Sequence, residues 1–231
     1  MVRDSRPADA GEHLTSRGLR TPRAAAIAGI LFAFLYATSF FLVLRQAPGR
    51  SGDVVEWLAR DGEYLVTGFD LLPYAGIAFL WFMAVVRDAI GYFEDQFFST
   101  LFFGSGVLFL AMVFLFGALA SGTLDVYLHE PALAQRVEML ELVRAVTNEA
   151  LIIYSMRMAG MFTFVLGTIW LRTRLMPRWF AGVTFVTALL LLFSVGFSHW
   201  MVLVFPAWVF AVSVVLLWRV FRRPGEAMVS D

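Results

Sequence analysis

The stretch from Ala150 to Phe180, ALIIYSMRMAGMFTFVLGTIWLRTRLMPRWF, decides the fold class of this 231-residue chain. It begins with an apolar run of about the twenty residues that an α-helix needs to cross roughly 30 Å of hydrocarbon. The run ends in a basic stop, Arg172, Arg174 and Arg178, and holds a single arginine, Arg157, inside it. Arginines collect on the cytoplasmic side of membrane proteins, so the span has a direction, outside to inside.

The rest of the composition agrees. A hydrophobic fraction of 60% and a mean hydropathy of +0.75 exceed the roughly 45 to 50% apolar content of soluble domains. Such a chain has more apolar surface than a water-soluble core can hide. Its charged residues, 16% of the total, gather between apolar runs, so the net charge of zero says little. With no cysteine, disulfides, thiolate nucleophiles and Cys-ligated zinc or iron–sulfur sites are excluded.

Outward from the opening stretch, five further apolar runs complete an all-α, polytopic helix bundle. The expected spans are 24–44, 65–86, 97–120, 150–171, 179–197 and 200–218, forming one membrane domain over 24–218. Residues 1–23, with five arginines and no apolar periodicity, read as a flexible cytoplasmic tail. Residues 219–231 form a second, short basic tail. Apolar sequence continues after Ala37-Thr38-Ser39 as FFLVL, so span one reads as an uncleaved anchor rather than a signal peptide. With the N-terminus inside, cytoplasmic segments hold twelve arginines and outer ones five, a firm positive-inside bias that places both termini in the cytoplasm.

Two loops carry pattern. Asp53 and Glu56 have the spacing of a reciprocal helix cap and predict a short surface helix around Trp57. In the acidic outer loop, Ala132 to Val146 alternates at helical spacing, with Glu138, Glu141 and Arg144 opposite Leu133, Met139, Leu140 and Val143. No glycine or proline separates Ala132 from Ala159. A continuous helix to Leu171 would be about 60 Å long, so it must protrude or bend, and Thr147-Asn148 is the expected place.

Few residues in the spans carry chemistry. Asp70 and Arg157 both fall about 9 to 10 Å below the outer edge, counted from their span starts. A charge at the centre of a span costs at least about 2.5 to 3.5 kcal/mol, which favours bundle-facing, paired positions. The two residues are therefore a candidate charge pair between spans two and four, with Arg157 partly snorkelling outward, or the lining of a polar cavity open to the outside. Outer His129, near Asp125 and Glu130, and His199 between spans five and six are the candidate zinc ligands of an outward-facing metal hydrolase. No HExxH or similar spacing supports that, and interfacial histidines without metal are the plainer reading. No cofactor, catalytic residue or nucleic-acid partner is implied.

Small residues recur every four positions in span one (Ala25, Gly29, Ala33, Ala37) and span four (Ser155, Ala159, Thr163, Gly167). Such stripes let helix backbones approach, either within the bundle or between copies. Pro73 and Pro206 are expected to bend their spans.

An arginine-ended tail leads into AAAIAGILFAFLYA (24–37), followed later by RTRLMPRWFAGVTF (172–185) and VFPAWVFAVSVVLL (204–217). With these segments the chain resembles the uncharacterised six-span integral membrane proteins of actinobacteria, grouped only as a domain of unknown function. That resemblance implies a bacterial cytoplasmic membrane and brings no catalytic residues. The expected role is a non-enzymatic structural or accessory membrane component, in contact with the lipid bilayer and with a second copy or another membrane protein. The alternatives are a small transporter organised on Asp70 and Arg157, and the metal hydrolase.

Overall fold

Apolar residues on nearly every side of a helix require burial in lipid or protein, and helices satisfy their own backbone groups without water. The computed structural model describes residues 21–46, 54–90, 96–129, 137–174, 176–193 and 199–222, and no strand occurs among them. The helices are α1 (Thr21–Gln46), α2 (Val54–Ile90), α3 (Gln96–His129), α4 (Val137–Asn148), α5 (Met156–Thr173), α6 (Arg178–Phe193) and α7 (Val204–Arg222). A π-helical turn, Glu149–Ser155, joins α4 to α5, and a 3₁₀ turn, His199–Leu203, leads into α7. Among the described residues, five segments are long and apolar enough to cross a membrane: Ala24–Val43, Tyr64–Asp88, Gln96–Val126, Leu142–Thr173 and Trp200–Arg219. Helix α6 is a shorter apolar helix of 16 residues, about 24 Å, and the rest of its expected span, 194–197, lies outside the described residues. The tails at 1–20 and 223–231, the Asp53 cap and the Phe197-Ser198 link lie outside the described residues.

Two loop expectations change form. The helix expected around Trp57 is not separate, since α2 runs unbroken for 37 residues from Val54. Of the helix expected from Ala132, residues 132–136 lie outside the described residues, and directly after Thr147-Asn148, the expected place of a bend, a π-turn interrupts the α-helix. One extra residue per turn shifts the phase of the helix, so buried Ala150, Leu151, Ser155 and Met156 can all face inward. The Ser155 hydroxyl donates to the Leu151 carbonyl at 2.8 Å within that turn. Pro206 falls in the first turn of α7. Its missing N–H cannot bond back to Val202, and this accounts for the change from 3₁₀ to α geometry at that point.

Helix α1 packs on α2 and α7, α3 lies between α2 and α5, and α5 packs on α6. The small residues work inside these contacts. Ala25, Gly29 and Ala33 are buried, and a Cβ on Gly29 would collide with Ser213 of α7 and Phe82 of α2. Ser155, Ala159, Thr163 and Gly167 are likewise buried, and a Cβ on Gly167 would lie 3.1 Å from Thr184 of α6. Buried hydrogen bonds also cross between helices. Ser39 Oγ donates to the Gly68 carbonyl at 2.6 Å, and Trp208 Nε1 donates to Thr184 Oγ1 at 3.2 Å. Apolar packing alone gives helices in lipid little preference for one another, so these close approaches and bonds define the arrangement.

The centre is aromatic. Phe79 of α2 lies 4.8 Å from Phe32 of α1, 5.3 Å from both Phe109 of α3 and Phe162 of α5, and 5.6 Å from Phe205 of α7. All five rings are fully buried. Their tilted and edge-on geometries suit ring quadrupoles, each pair adding about 0.5 to 1.5 kcal/mol beyond area burial. Tyr36 extends the cluster through Phe32, Phe40 and Phe109, and its hydroxyl is buried with no hydrogen-bond partner.

Candidate functional site

Burial along α2 shows where Asp70 points. Val66, Asp70, Pro73, Tyr74, Ile77, Trp81 and Ala84 are exposed, while Leu65, Leu72, Ala75, Phe79, Phe82 and Met83 are buried. The exposed set recurs at three- and four-residue steps, so it forms one face of the helix, turned away from the bundle. Asp70 sits in that face, not in the core. Arg157 belongs to a comparable stripe on α5, with exposed Tyr154, Phe164 and Leu171 and half-buried Met161 and Thr168, and is itself half-buried. The buried stripe of Ser155, Ala159, Thr163 and Gly167 occupies the other side of α5.

Within one copy, Asp70 and Arg157 are thus held on the outer surfaces of two helices that flank α3. Where α2 and α5 do touch, the contact is the Phe79–Phe162 ring pair, with Met83 and Phe162 crowding Gly106 of α3 beside it. Depth still matches. Arg87 lies seventeen residues beyond Asp70, and Arg172 fifteen beyond Arg157, rises of about 25 and 22 Å. With Arg87 and Arg172 at one edge of a roughly 30 Å core, both charges fall a few ångströms short of the other edge. The guanidinium of Arg157 is long enough to snorkel there, and the short carboxylate of Asp70 is not.

Arg87 and Arg172 are themselves anchored on α3, the first 5.8 Å from the Phe103 ring centroid and the second 4.5 Å from that of Phe98. These cation–π contacts tie the ends of α2 and α5 to the start of α3.

His129 closes α3 and His199 opens the 3₁₀ turn. Their side chains, and Glu130, lie outside the described residues. Among the described residues no group of three His, Asp or Glu side chains is placed to hold a metal ion.

A feature not anticipated from the sequence is the elbow between α5 and α6. Arg174 there has a φ of 53°, the one non-glycine residue with positive φ among those described. An L-residue in this left-handed conformation costs roughly 1 to 2 kcal/mol. Beside it is a cavity of about 220 Å³ lined by Trp170, Leu171, Arg174, Met176, Pro177 and Arg178. The motif was visible as a basic turn into a span, but nothing in its residue types signals a left-handed arginine where glycine or asparagine is usual.

No family model, curated protein or solved structure matches the chain. Function therefore has to be argued from the geometry above.

Proposed function

We propose that this chain is a six-span component of a bacterial cytoplasmic membrane, with both termini cytoplasmic, that acts by assembly and not by turning over a substrate. The partner we assign is a second copy, with the Asp70 face of α2 set against the Arg157 face of α5 in the next molecule. Exposure of Asp70 within an apolar stretch, Tyr64–Asp88, carries the reading. A carboxylate turned to hydrocarbon is unfavourable, by about 2.5 to 3.5 kcal/mol at the centre of a span and by less near its edge, and an arginine at the same depth on a neighbour offsets that cost. Copies in one membrane share an orientation, so equal depth is what such a pair requires. Two different faces in contact make a head-to-tail interface, which gives a ring where the rotation between copies closes and an open array where it does not.

Transport through the bundle has less support, because rings from α1, α2, α3, α5 and α7 occupy its middle and neither charge faces them. The natural absence of cysteine makes the test clean. Tyr74→Cys and Met161→Cys, each one turn from its charge, are introduced into separately tagged copies and oxidised in native membranes. Covalent heterodimers containing both tags are expected. Their absence, together with proton or solute flux in vesicles that is lost in Asp70→Asn, would transfer support to the transporter reading. Topology is checked with the same background. Single cysteines at positions 12 and 228 should be labelled by an impermeant reagent only after permeabilisation, and one at 132 in intact cells.

A further inference from the structure

We infer that the α5–α6 elbow is a binding site for the phosphate of an anionic phospholipid headgroup. The inference stands on the elbow alone and does not depend on the assembly proposed above. Four observations converge there. A cavity of about 220 Å³ opens between the end of α5 and the start of α6. This is below the roughly 300 to 1,000 Å³ of pockets for drug-sized ligands, and it suits a small headgroup.

Two arginines, Arg174 and Arg178, are among the residues that line it. Both residues are exposed, and among the described residues neither stacks on a ring as Arg87 and Arg172 do. Among the described residues, then, one pair of arginines holds helices together by stacking on rings, and another lies exposed around a hollow. Planar guanidinium forks match phosphate oxygens in geometry as well as charge.

The backbone is bent to make this possible. Arg174 keeps its side chain in the left-handed conformation that glycine adopts at little cost. Strain of this kind persists where the surroundings impose it, and it is characteristic of ligand sites. At the other wall α6 begins. Phe180 N–H and Ala181 N–H both bond to the Pro177 carbonyl, at 3.0 and 3.2 Å, so Pro177 closes the first turn and the amides of Arg178 and Trp179 precede any in-helix acceptor. Helix starts of this type favour an anion.

The surroundings select a lipid over a free anion. The floor is apolar, with Trp170 and Met176 about 95% buried. Next to Arg178 in sequence, Trp179 is 66% exposed, and an indole at the end of a span sits at headgroup level. A phosphodiester with acyl chains running down the exposed side of α5 and α6 places its charge at the arginines and its tails against Leu171 and Val183, both exposed. Basic pockets between spans bind anionic headgroups in this manner.

The full-length protein, purified in mild detergent, is titrated with phosphatidylglycerol or phosphatidylcholine, and bound lipid is counted by native mass spectrometry. One phosphatidylglycerol should be retained selectively. Arg174→Gln combined with Arg178→Gln should weaken it by about 30-fold, each arginine contributing about fivefold. Arg174→Gly separates binding from folding, because it relieves the backbone. It should raise the melting temperature in phosphatidylcholine nanodiscs while lowering phosphatidylglycerol affinity by about fivefold. Arg172→Gln, whose side chain stacks on Phe98, should leave the affinity unchanged.

If Arg174→Gly binds the lipid as tightly as the parent, or Arg172→Gln loses as much as Arg174→Gly, the site is a diffuse basic end and the inference fails. Displacement of phosphatidylglycerol by a large excess of inorganic phosphate, with the same protection against heat, would make it a free-phosphate site and overturn the lipid assignment.

Discussion

The aromatic centre and the α5–α6 elbow are built on opposite terms. In the centre, rings from five helices meet at 4.7 to 6.4 Å, all five are buried, and among the described residues the one polar misfit is the Tyr36 hydroxyl. At the elbow the chain exposes arginines, adopts a left-handed residue and leaves a hollow. Packing quality is spent where no ligand goes, and backbone strain is tolerated where charge reaches the surface. The difference separates the part of the molecule that holds it together from the part that meets something else.

That contrast can be broken most forcefully at Phe79. Truncation to alanine removes the ring shared by α1, α3, α5 and α7 and should cost about 3 to 5 kcal/mol in reversible unfolding from detergent. Phe34, exposed on α1, should lose less than about 0.5 kcal/mol on the same change. Equal losses would mean the hub is no more than one contact among many. The next largest effect is expected at Gly29. Alanine there forces Ser213 and Phe82 aside and should destabilise by about 1 to 3 kcal/mol, measured by the same unfolding titration.

Two substitutions should work in the other direction. Tyr36→Phe removes a buried hydroxyl that has no partner, and a gain of about 1 kcal/mol is expected. A loss on that change would show that the hydroxyl is satisfied by a bound water or ligand. Arg174→Gly should stabilise by roughly 1 kcal/mol, the cost of the left-handed arginine, and thermal unfolding in zwitterionic lipid reads it. If either change destabilises, the division between a settled centre and a strained elbow is wrongly drawn.

How much of this was legible beforehand depends on what each residue encodes. Long apolar runs state their own helicity and approximate ends, and α1 and α7 lie close to where the sequence places them, while α3 runs nine residues past its expected end at 120, to His129. The stripe of Ala25, Gly29 and Ala33 announces close packing, because small side chains let helix backbones approach. The absence of glycine and proline before Ala159 foretells a continuous rod, and from Val137 to Thr173 the chain is helical throughout, with a π-turn next to Thr147-Asn148.

Azimuth is another matter. Depth along a helix follows from counting, which is why Asp70 and Arg157 stay level with each other. The direction a side chain faces depends on which side becomes the core, and α2 is apolar nearly all round, so its pattern contains little that distinguishes the two faces. Cost arguments alone turned Asp70 inward, while the aromatic side chains of the same helix claimed that space. The elbow was illegible for a related reason. A left-handed arginine is imposed by how α5 and α6 join, and no local residue preference reports it.

The central claim, that the outward Asp70 and Arg157 faces join neighbouring copies, is tested most directly by charge reversal in the membrane. Asp70→Arg and Arg157→Asp are made singly and together, and the oligomer is measured by cross-linking the Tyr74→Cys and Met161→Cys copies. The account predicts that each single reversal abolishes the covalent dimer and that the double reversal restores it. Dimers that survive both single reversals, or that are not recovered in the double, would contradict it.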